Sequence, residues 1–455
     1  MHNIHGNLNI KYHKVINICL IVLIGASLIS TMFYGFRISL LFATLSALFA
    51  LAINFIYSRT LSIEILNLYY ILVAPMQLFL AVVSPSSIIA ARYNKYFGKW
   101  MFNDLSIIEK YFIFASLFLL IGTIILKATE GVSISIYGSK VSVINDLYKK
   151  NTFYKHPIIW MIIFSLLNYY YRQGTINGVL SYFLFGLCFF GLANLVIRSM
   201  QFGLSVRSVF LIFFGLLIYA VPGILSGTRY YIVSGLILTV IYALTIESEQ
   251  TIAFAKKHIP LLICILAIIV VIFGVTNIVK LSKFDPIGLF TSRIVGLFDG
   301  CSVIDYINSN SYRLSINNYI MSMINDSGVR ANRFYTKTII GYPENAHTGS
   351  AAPIFIISLL YGLPMWIIIC IFYIIIFGIS MHSIYTNKLK VVAEGEKYSY
   401  YDRCNVFISI YFAYTIFSGY FLDGNIEIIK LLSSPIAAWL LLRLVTIKLS
   451  KRRSS

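Results

Sequence analysis

The chain has 455 residues, of which 59% are hydrophobic and only 12% are charged, and its net charge is +19. A soluble domain carries about a quarter charged residues, so this composition excludes an ordinary soluble globular protein. The charge does not indicate nucleic-acid binding either, because the basic residues lie mostly at the ends of apolar runs, where they meet anionic lipid headgroups.

Apolar runs long enough to cross a bilayer recur along the chain. A hydrocarbon core of about 30 Å requires about 20 apolar residues per helix. The sequence therefore predicts an all-α fold, a polytopic transmembrane helical bundle of about twelve spans with a large helical outer loop. The predicted spans cover residues 15–35, 38–57, 62–83, 107–126, 157–171, 178–197, 208–226, 230–246, 259–279, 353–383, 404–421 and 426–447.

Two of these runs depart from the usual length. The 157–171 run is short, and whether it spans the membrane stays open. The 353–383 run is too long for one perpendicular helix. Pro353, Gly362 and Pro364 predict a short membrane-entering helix followed by a full span.

Positive charge predicts the orientation, since short cytoplasmic loops carry an excess of lysine and arginine. The distribution favours both termini in the cytoplasm and the long loop outside. The chain then divides into residues 1–279 with nine spans, the large periplasmic loop 280–352 with the candidate active-site residues, and 353–455 with three spans and a basic cytoplasmic tail.

Arg229 lies in a tight turn, 226–231, between two apolar runs, and the predicted orientation places it at the outward-facing surface of the membrane. Its guanidinium offers forked donors to phosphate oxygens. The diphosphate of a membrane-embedded polyprenyl lipid would lie at this height. The alternative is an interfacial anchor that reaches the headgroups without binding a substrate.

His347 lies in the segment 342–349, just before the chain re-enters the membrane, and it is the one histidine predicted outside. A neutral imidazole can take a proton from an attacking hydroxyl at neutral pH. Glu344 is close enough in sequence to orient it or to act in its place. The alternative is a polar loop residue with no chemical role.

The long loop also carries four arginines, which suit an anionic lipid diphosphate as a set. Each of them singly could be part of a solvated basic loop. They are Arg293, Arg313, Arg330 and Arg333.

No Walker motif, dinucleotide-binding glycine pattern or usual Cys/His metal spacing is present. Of the six cysteines, Cys301 alone lies in the long loop, so this loop has no internal disulfide partner. The sequence therefore predicts no cofactor and no metal, and favours a preactivated lipid donor.

The layout and three short motifs resemble the O-antigen and capsule repeat-unit polymerases of the Wzy type. The turn Gly227 to Arg229 looks like the Gly-Ser-Arg turn of these enzymes, and Arg330 followed by Gly341 fits an Arg-x10-Gly pattern. His347, followed by the run to 361–364, is similar to an ending shared with O-antigen ligases.

The resemblance implies a multi-pass glycosyltransferase of the bacterial inner membrane that joins undecaprenyl-diphosphate-linked glycans on the periplasmic side. Its partners would be these glycans, membrane lipids, a chain-length regulator and a flippase, with no nucleic acid. Diphosphate binding would fall to Arg229, Arg293, Arg330 and Arg333, and base catalysis to His347 with Glu344 second.

Three alternatives stay open. An O-antigen ligase uses the same donor with a lipid A-core acceptor. A flippase for lipid-linked sugars also has about twelve spans, but transporters tend to show internal repeats and short loops. A structural membrane protein without a substrate is the third alternative.

Overall fold

The computed structural model describes residues 155–173, 178–201, 204–225, 230–246, 248–281, 296–324, 331–339, 353–393, 400–418 and 428–451, and single residues between 22 and 29 and between 110 and 125. Every regular element in these ranges is helical. In chain order they are α1 (Pro157–Gln173), α2 (Gly178–Gln201), α3 (Val206–Leu225), α4 (Tyr230–Ile246), α5 (Ser248–Lys257), α6 (Ile259–Leu281), α7 (Gly296–Ser309), α8 (Ile316–Ile324), α9 (Ala331–Phe334), α10 (Ile354–Ile357), α11 (Leu363–Ala393), α12 (Tyr400–Ser418) and α13 (Ile428–Lys451).

Two shorter elements extend this list. A π-helical turn, Tyr335–Ile339, follows α9, and a 3-10 turn, Ser358–Tyr361, follows α10. Each predicted span from 157–171 onward coincides with a helix whose ends lie within a few residues of the prediction, apart from the longer α11. The predicted spans 38–57 and 62–83 lie outside the described residues.

Three helices of the described part are long and apolar enough to cross a membrane: Leu180–Met200, Val206–Leu225 and Leu363–Ile384. A bent pair, Tyr231–Ile246 with Gln250–Lys257, would make a fourth if it counts as one span. The helix predicted at 157–171 is present as α1, with a shorter apolar stretch, Pro157–Tyr170. The part of the chain that the structure describes is thus all-helical, as expected for a helical membrane protein.

The contacts divide the chain into two units. The first comprises Met1–Val132, Phe290–His382 and Ile416–Glu427, and the second comprises Ser133–Leu289, Ser383–Thr415 and Ile428–Ser455. The second unit has α2 at its centre, packed against α1, α3, α4 and α13. This position follows from the sequence of α2, which is apolar all round and so has no face suited to water.

Close packing of α2 depends on small residues and rings. A Cβ at Gly186 would overlap the backbone of Ser434, so α13 approaches α2 as closely as glycine allows. The Ser434 hydroxyl donates a hydrogen bond to the Tyr182 carbonyl across the same contact. The Phe189 ring lies 3.7 Å from that of Tyr411 in α12. These contacts hold the core of the second unit together without an aqueous hydrophobic effect.

Candidate functional site

The described part of the predicted outer loop is folded into helices. It contains α7, α8 and α9 with the π-helical turn, all in the first unit. Helix α7 is central, since it packs against α10, the 3-10 turn and the π-helical turn. Its buried residues Cys301, Val303 and Ile304 form the face that makes these contacts possible.

Helix α7 is also fixed to the helical residues between 110 and 125. A Cβ at Gly300 would overlap the ring of Tyr111, so the two segments meet at a glycine. The Lys110 ammonium donates a hydrogen bond of 3.2 Å to the Asn308 side-chain carbonyl. The predicted outer loop is therefore attached to an element from the amino-terminal part of the chain.

The short helix predicted after Pro353 is present and completely buried. Residues 353–361 are all buried, and the Trp366 indole donates a hydrogen bond of 2.6 Å to the Phe355 carbonyl. The Phe355 ring contacts Phe118 at 5.2 Å and Tyr111 at 5.9 Å. This aromatic cluster fixes the short helix to α11 and to the 110–125 segment.

Gly362 separates the short helix from the full-length span. Its φ of 86° and ψ of 164° fall in a region that is essentially restricted to glycine. The predicted break at this residue is confirmed.

The outer loop also contacts the residues just before Gly362. The Leu314 amide donates a 2.8 Å hydrogen bond to the Leu360 carbonyl, and the Tyr319 ring lies 5.3 Å from that of Tyr361. The outer loop thus contacts the 3-10 turn at the carboxyl-terminal end of the short helix.

Arg313 has a structural role. Its guanidinium donates hydrogen bonds to the carbonyls of Ile307 at 2.9 Å, Asn310 at 2.7 Å and Tyr312 at 2.8 Å. The first of these carbonyls belongs to the last turn of α7, where carbonyls lack intrahelical partners. The side chain closes the carboxyl end of α7, which is a structural role.

Arg333 differs from Arg313 in its exposure and in its hydrogen bonds. Its side chain is exposed and makes no hydrogen bond to any residue that the structure describes. The neighbouring Phe334 is buried, with its ring 5.5 Å from Tyr306 and 5.7 Å from Tyr312. The aromatic contacts fix the backbone of α9, and the guanidinium of Arg333 is presented to solvent.

The other predicted site residues lie outside the described residues: Arg229, Arg293, Arg330, Glu344 and His347. Arg330 immediately precedes Ala331, which is buried in α9. Glu344 and His347 fall in the segment 340–352, between the π-helical turn and Pro353. The elements on both sides of this segment pack against α7. Arg229 falls between α3 and α4, which pack against each other.

The buried thiol of Cys301 also bears on the chemistry of the loop. Burial raises the pKa of the Cys301 thiol well above its ordinary value, so this cysteine is not a nucleophile at neutral pH. Among the residues that the structure describes, no three histidine, cysteine or acidic side chains are grouped so as to hold a metal ion.

Comparison with known proteins gives no relative. No protein-family model matches the chain, and no curated protein or solved structure is significantly similar to it.

Proposed function

We propose that this protein is a membrane glycosyltransferase that polymerises undecaprenyl-diphosphate-linked oligosaccharide repeat units into O-antigen or capsular polysaccharide. The reaction would take place on the periplasmic side of the bacterial inner membrane, with both termini in the cytoplasm and about twelve spans in all. The observation that carries the proposal is the helical scaffold around α7. It presents Arg333 to solvent and packs against both elements that flank the segment with Glu344 and His347.

The chemistry requires an acceptor hydroxyl, a base and a stabilised leaving group. The oxygen of the acceptor sugar forms a bond to the anomeric carbon of the donor, and the bond from that carbon to the lipid diphosphate breaks. His347, or Glu344 in its place, takes the hydroxyl proton. Arg229, Arg293, Arg330 and Arg333 stabilise the charge that develops on the departing undecaprenyl diphosphate. No reaction partner beyond the two lipid-linked glycans is needed.

Arginine suits this role better than lysine. Its guanidinium keeps its charge at every physiological pH and offers planar, paired donors to two phosphate oxygens. The guanidinium of Arg313 has fewer of these donors left, because it already donates three hydrogen bonds to backbone carbonyls. The exposed side chain of Arg333 retains them. The different contacts of Arg313 and Arg333 support a loop in which some arginines stabilise the fold and others bind the diphosphate.

The proposal is tested by the surface polysaccharide of a strain that lacks the gene. We expect the ladder of long glycan chains to disappear, with a single repeat unit left on the lipid A-core or on the lipid carrier. The gene supplied on a plasmid restores the ladder, whereas the same gene with Arg229→Ala restores expression without the ladder.

The other outcomes distinguish the alternative functions. Bare lipid A-core together with intact polymer on undecaprenyl diphosphate would indicate a ligase. Repeat units trapped on the cytoplasmic side would indicate a flippase. Normal ladders from the Arg229→Ala protein would contradict the mechanism.

A further inference from the structure

A groove in the second unit lies where three helices of the bundle end or begin. It has a volume of about 590 Å³ and is formed by the amino-terminal ends of α1 and α3 and the carboxyl-terminal end of α2. Small-molecule sites usually have volumes of about 300–1,000 Å³. The groove is therefore large enough for a phosphate group with a small polar substituent.

The lining of the groove is basic. Three basic side chains, Lys155, Arg198 and Arg207, line it, and His156 lies beside them. None of the twelve described residues that line the groove is acidic. Three cations that line one groove give it a positive potential, which attracts an anion.

The amino-terminal ends of two helices add to this preference. Both α1 and α3 begin at the groove, and the amino-terminal end of a helix attracts anions. At the start of α3, the Ser205 amide donates to the Ser208 hydroxyl and the Ser208 amide donates to the Ser205 hydroxyl, each at 3.1 Å, so this pair caps the helix and fixes its start. The Arg198 guanidinium donates to the Lys155 carbonyl at 3.0 Å, which ties the end of α2 to the residues before α1. The charged lining is thus held by fixed helix ends.

One side of the groove is apolar and exposed. Ile159 of α1 is 54% exposed and Leu211 of α3 is 38% exposed, and both line the groove. The exposed surface continues along the two helices, with Ile162 and Ile163 on α1 and Phe214 on α3. Since Val206–Leu225 is apolar and long enough to span a bilayer, we expect its first residues at the height of the lipid headgroups.

We propose that this groove binds the phosphate group of an anionic membrane lipid. The phosphate contacts Lys155, Arg198 and Arg207, and the acyl chains lie along the exposed apolar side chains that begin at Ile159 and Leu211. The apolar side decides between the two sources of a phosphate group, because a soluble phosphate would gain nothing from it. This site is independent of the proposed transferase reaction.

The test uses the full-length protein in detergent and native mass spectrometry. The protein is titrated with short-chain phosphatidylglycerol, with zwitterionic phosphatidylcholine of the same chain length, and with inorganic phosphate. We expect phosphatidylglycerol to bind at least about tenfold more tightly than either of the others. The Lys155→Gln/Arg207→Gln variant should bind phosphatidylglycerol at least about tenfold more weakly, since charge-assisted hydrogen bonds are lost.

A matched control removes the same charge elsewhere. The Lys256→Gln/Lys257→Gln variant changes two exposed basic residues at the end of α5, outside the groove, and should bind like the unmodified protein. If both double variants bound phosphatidylglycerol equally weakly, the lipid would be attracted by the overall charge of the protein and not by the groove. This result would overturn the proposed site. Inorganic phosphate that binds as tightly as phosphatidylglycerol would overturn the lipid as occupant. If the double variant does not fold, Arg207→Gln alone should weaken binding several-fold, and unchanged binding would overturn the proposal.

Discussion

Two arginines of the predicted outer loop, Arg313 and Arg333, have guanidinium groups with different contacts. That of Arg313 closes the end of α7 with three backbone hydrogen bonds, and that of Arg333 is exposed. The sequence places both in the same basic loop but cannot separate them, because the role of a guanidinium depends on which carbonyls the fold brings to it. The structure therefore distinguishes two of the four loop arginines, which the sequence alone does not separate.

This difference predicts opposite effects of two alanine substitutions. Arg313→Ala should destabilise the protein by about 1–2 kcal/mol, because it leaves carbonyls at the end of α7 without donors. Arg333→Ala should leave the melting temperature unchanged and lower glycan polymerisation roughly tenfold, because it removes one phosphate contact. Thermal unfolding in detergent and a chain-length assay measure the two effects. A drop in melting temperature for Arg333→Ala without loss of polymerisation would reverse the assignment.

Cys301 provides a second test at the scale of a single residue. Its thiol is buried and its pKa is raised by burial, so thiolate is scarce at neutral pH. In a variant without the other cysteines, we expect no maleimide labelling of Cys301 in the folded protein and complete labelling in detergent that unfolds it.

The control for this labelling is an introduced cysteine at an exposed position of the same loop. Asn317→Cys replaces an exposed residue of α8 and should be labelled rapidly in the folded protein. Rapid labelling of both positions would show that α7 is not packed as described.

At the scale of elements, the sequence predicts spans better than it predicts the loop between them. Span ends are marked by glycine, proline and charged residues, and α2, α3 and α4 begin within two residues of their predicted starts. The bounds of α7 and α8 are not readable in this way, because neither helix is an apolar run of span length. Helix α7 buries Val303 and Ile304 against its neighbours, whereas α8 exposes Ile316 and Ile320. The break at Gly362 is the exception inside this region, since glycine between a short helix and a proline signals it directly.

The conformation of Gly362 makes a clear prediction. Gly362→Ala should destabilise the protein by about 1–3 kcal/mol, because a side chain is strained at this φ and ψ. The adjacent Leu363→Ala is the control, since Leu363 is 58% exposed and has an ordinary helical position. Thermal unfolding of the two variants in the same detergent gives the comparison. Equal melting temperatures would contradict the described break between α10 and α11.

At the scale of the whole molecule, composition alone identifies an all-helical membrane protein, and the described helices bear this out. The total number of spans and the orientation stay predictions, because they depend on the whole chain and on the membrane. The same is true of the site, since five of its six predicted residues lie outside the described ranges. The structure adds the scaffold on which α9 and the short helix α10 are held.

The central claim is that the protein itself joins lipid-linked glycans. The most direct measurement is a reaction of the purified protein in lipid vesicles with undecaprenyl-diphosphate-linked repeat units, followed by chromatography of the glycans and of the released lipid. We predict longer glycans and one undecaprenyl diphosphate released for each bond formed. His347→Ala should reduce both about 100-fold or more, as expected for loss of a general base. The account would be contradicted if the unmodified protein formed neither product, or if the His347→Ala protein gave the same yields as the unmodified protein.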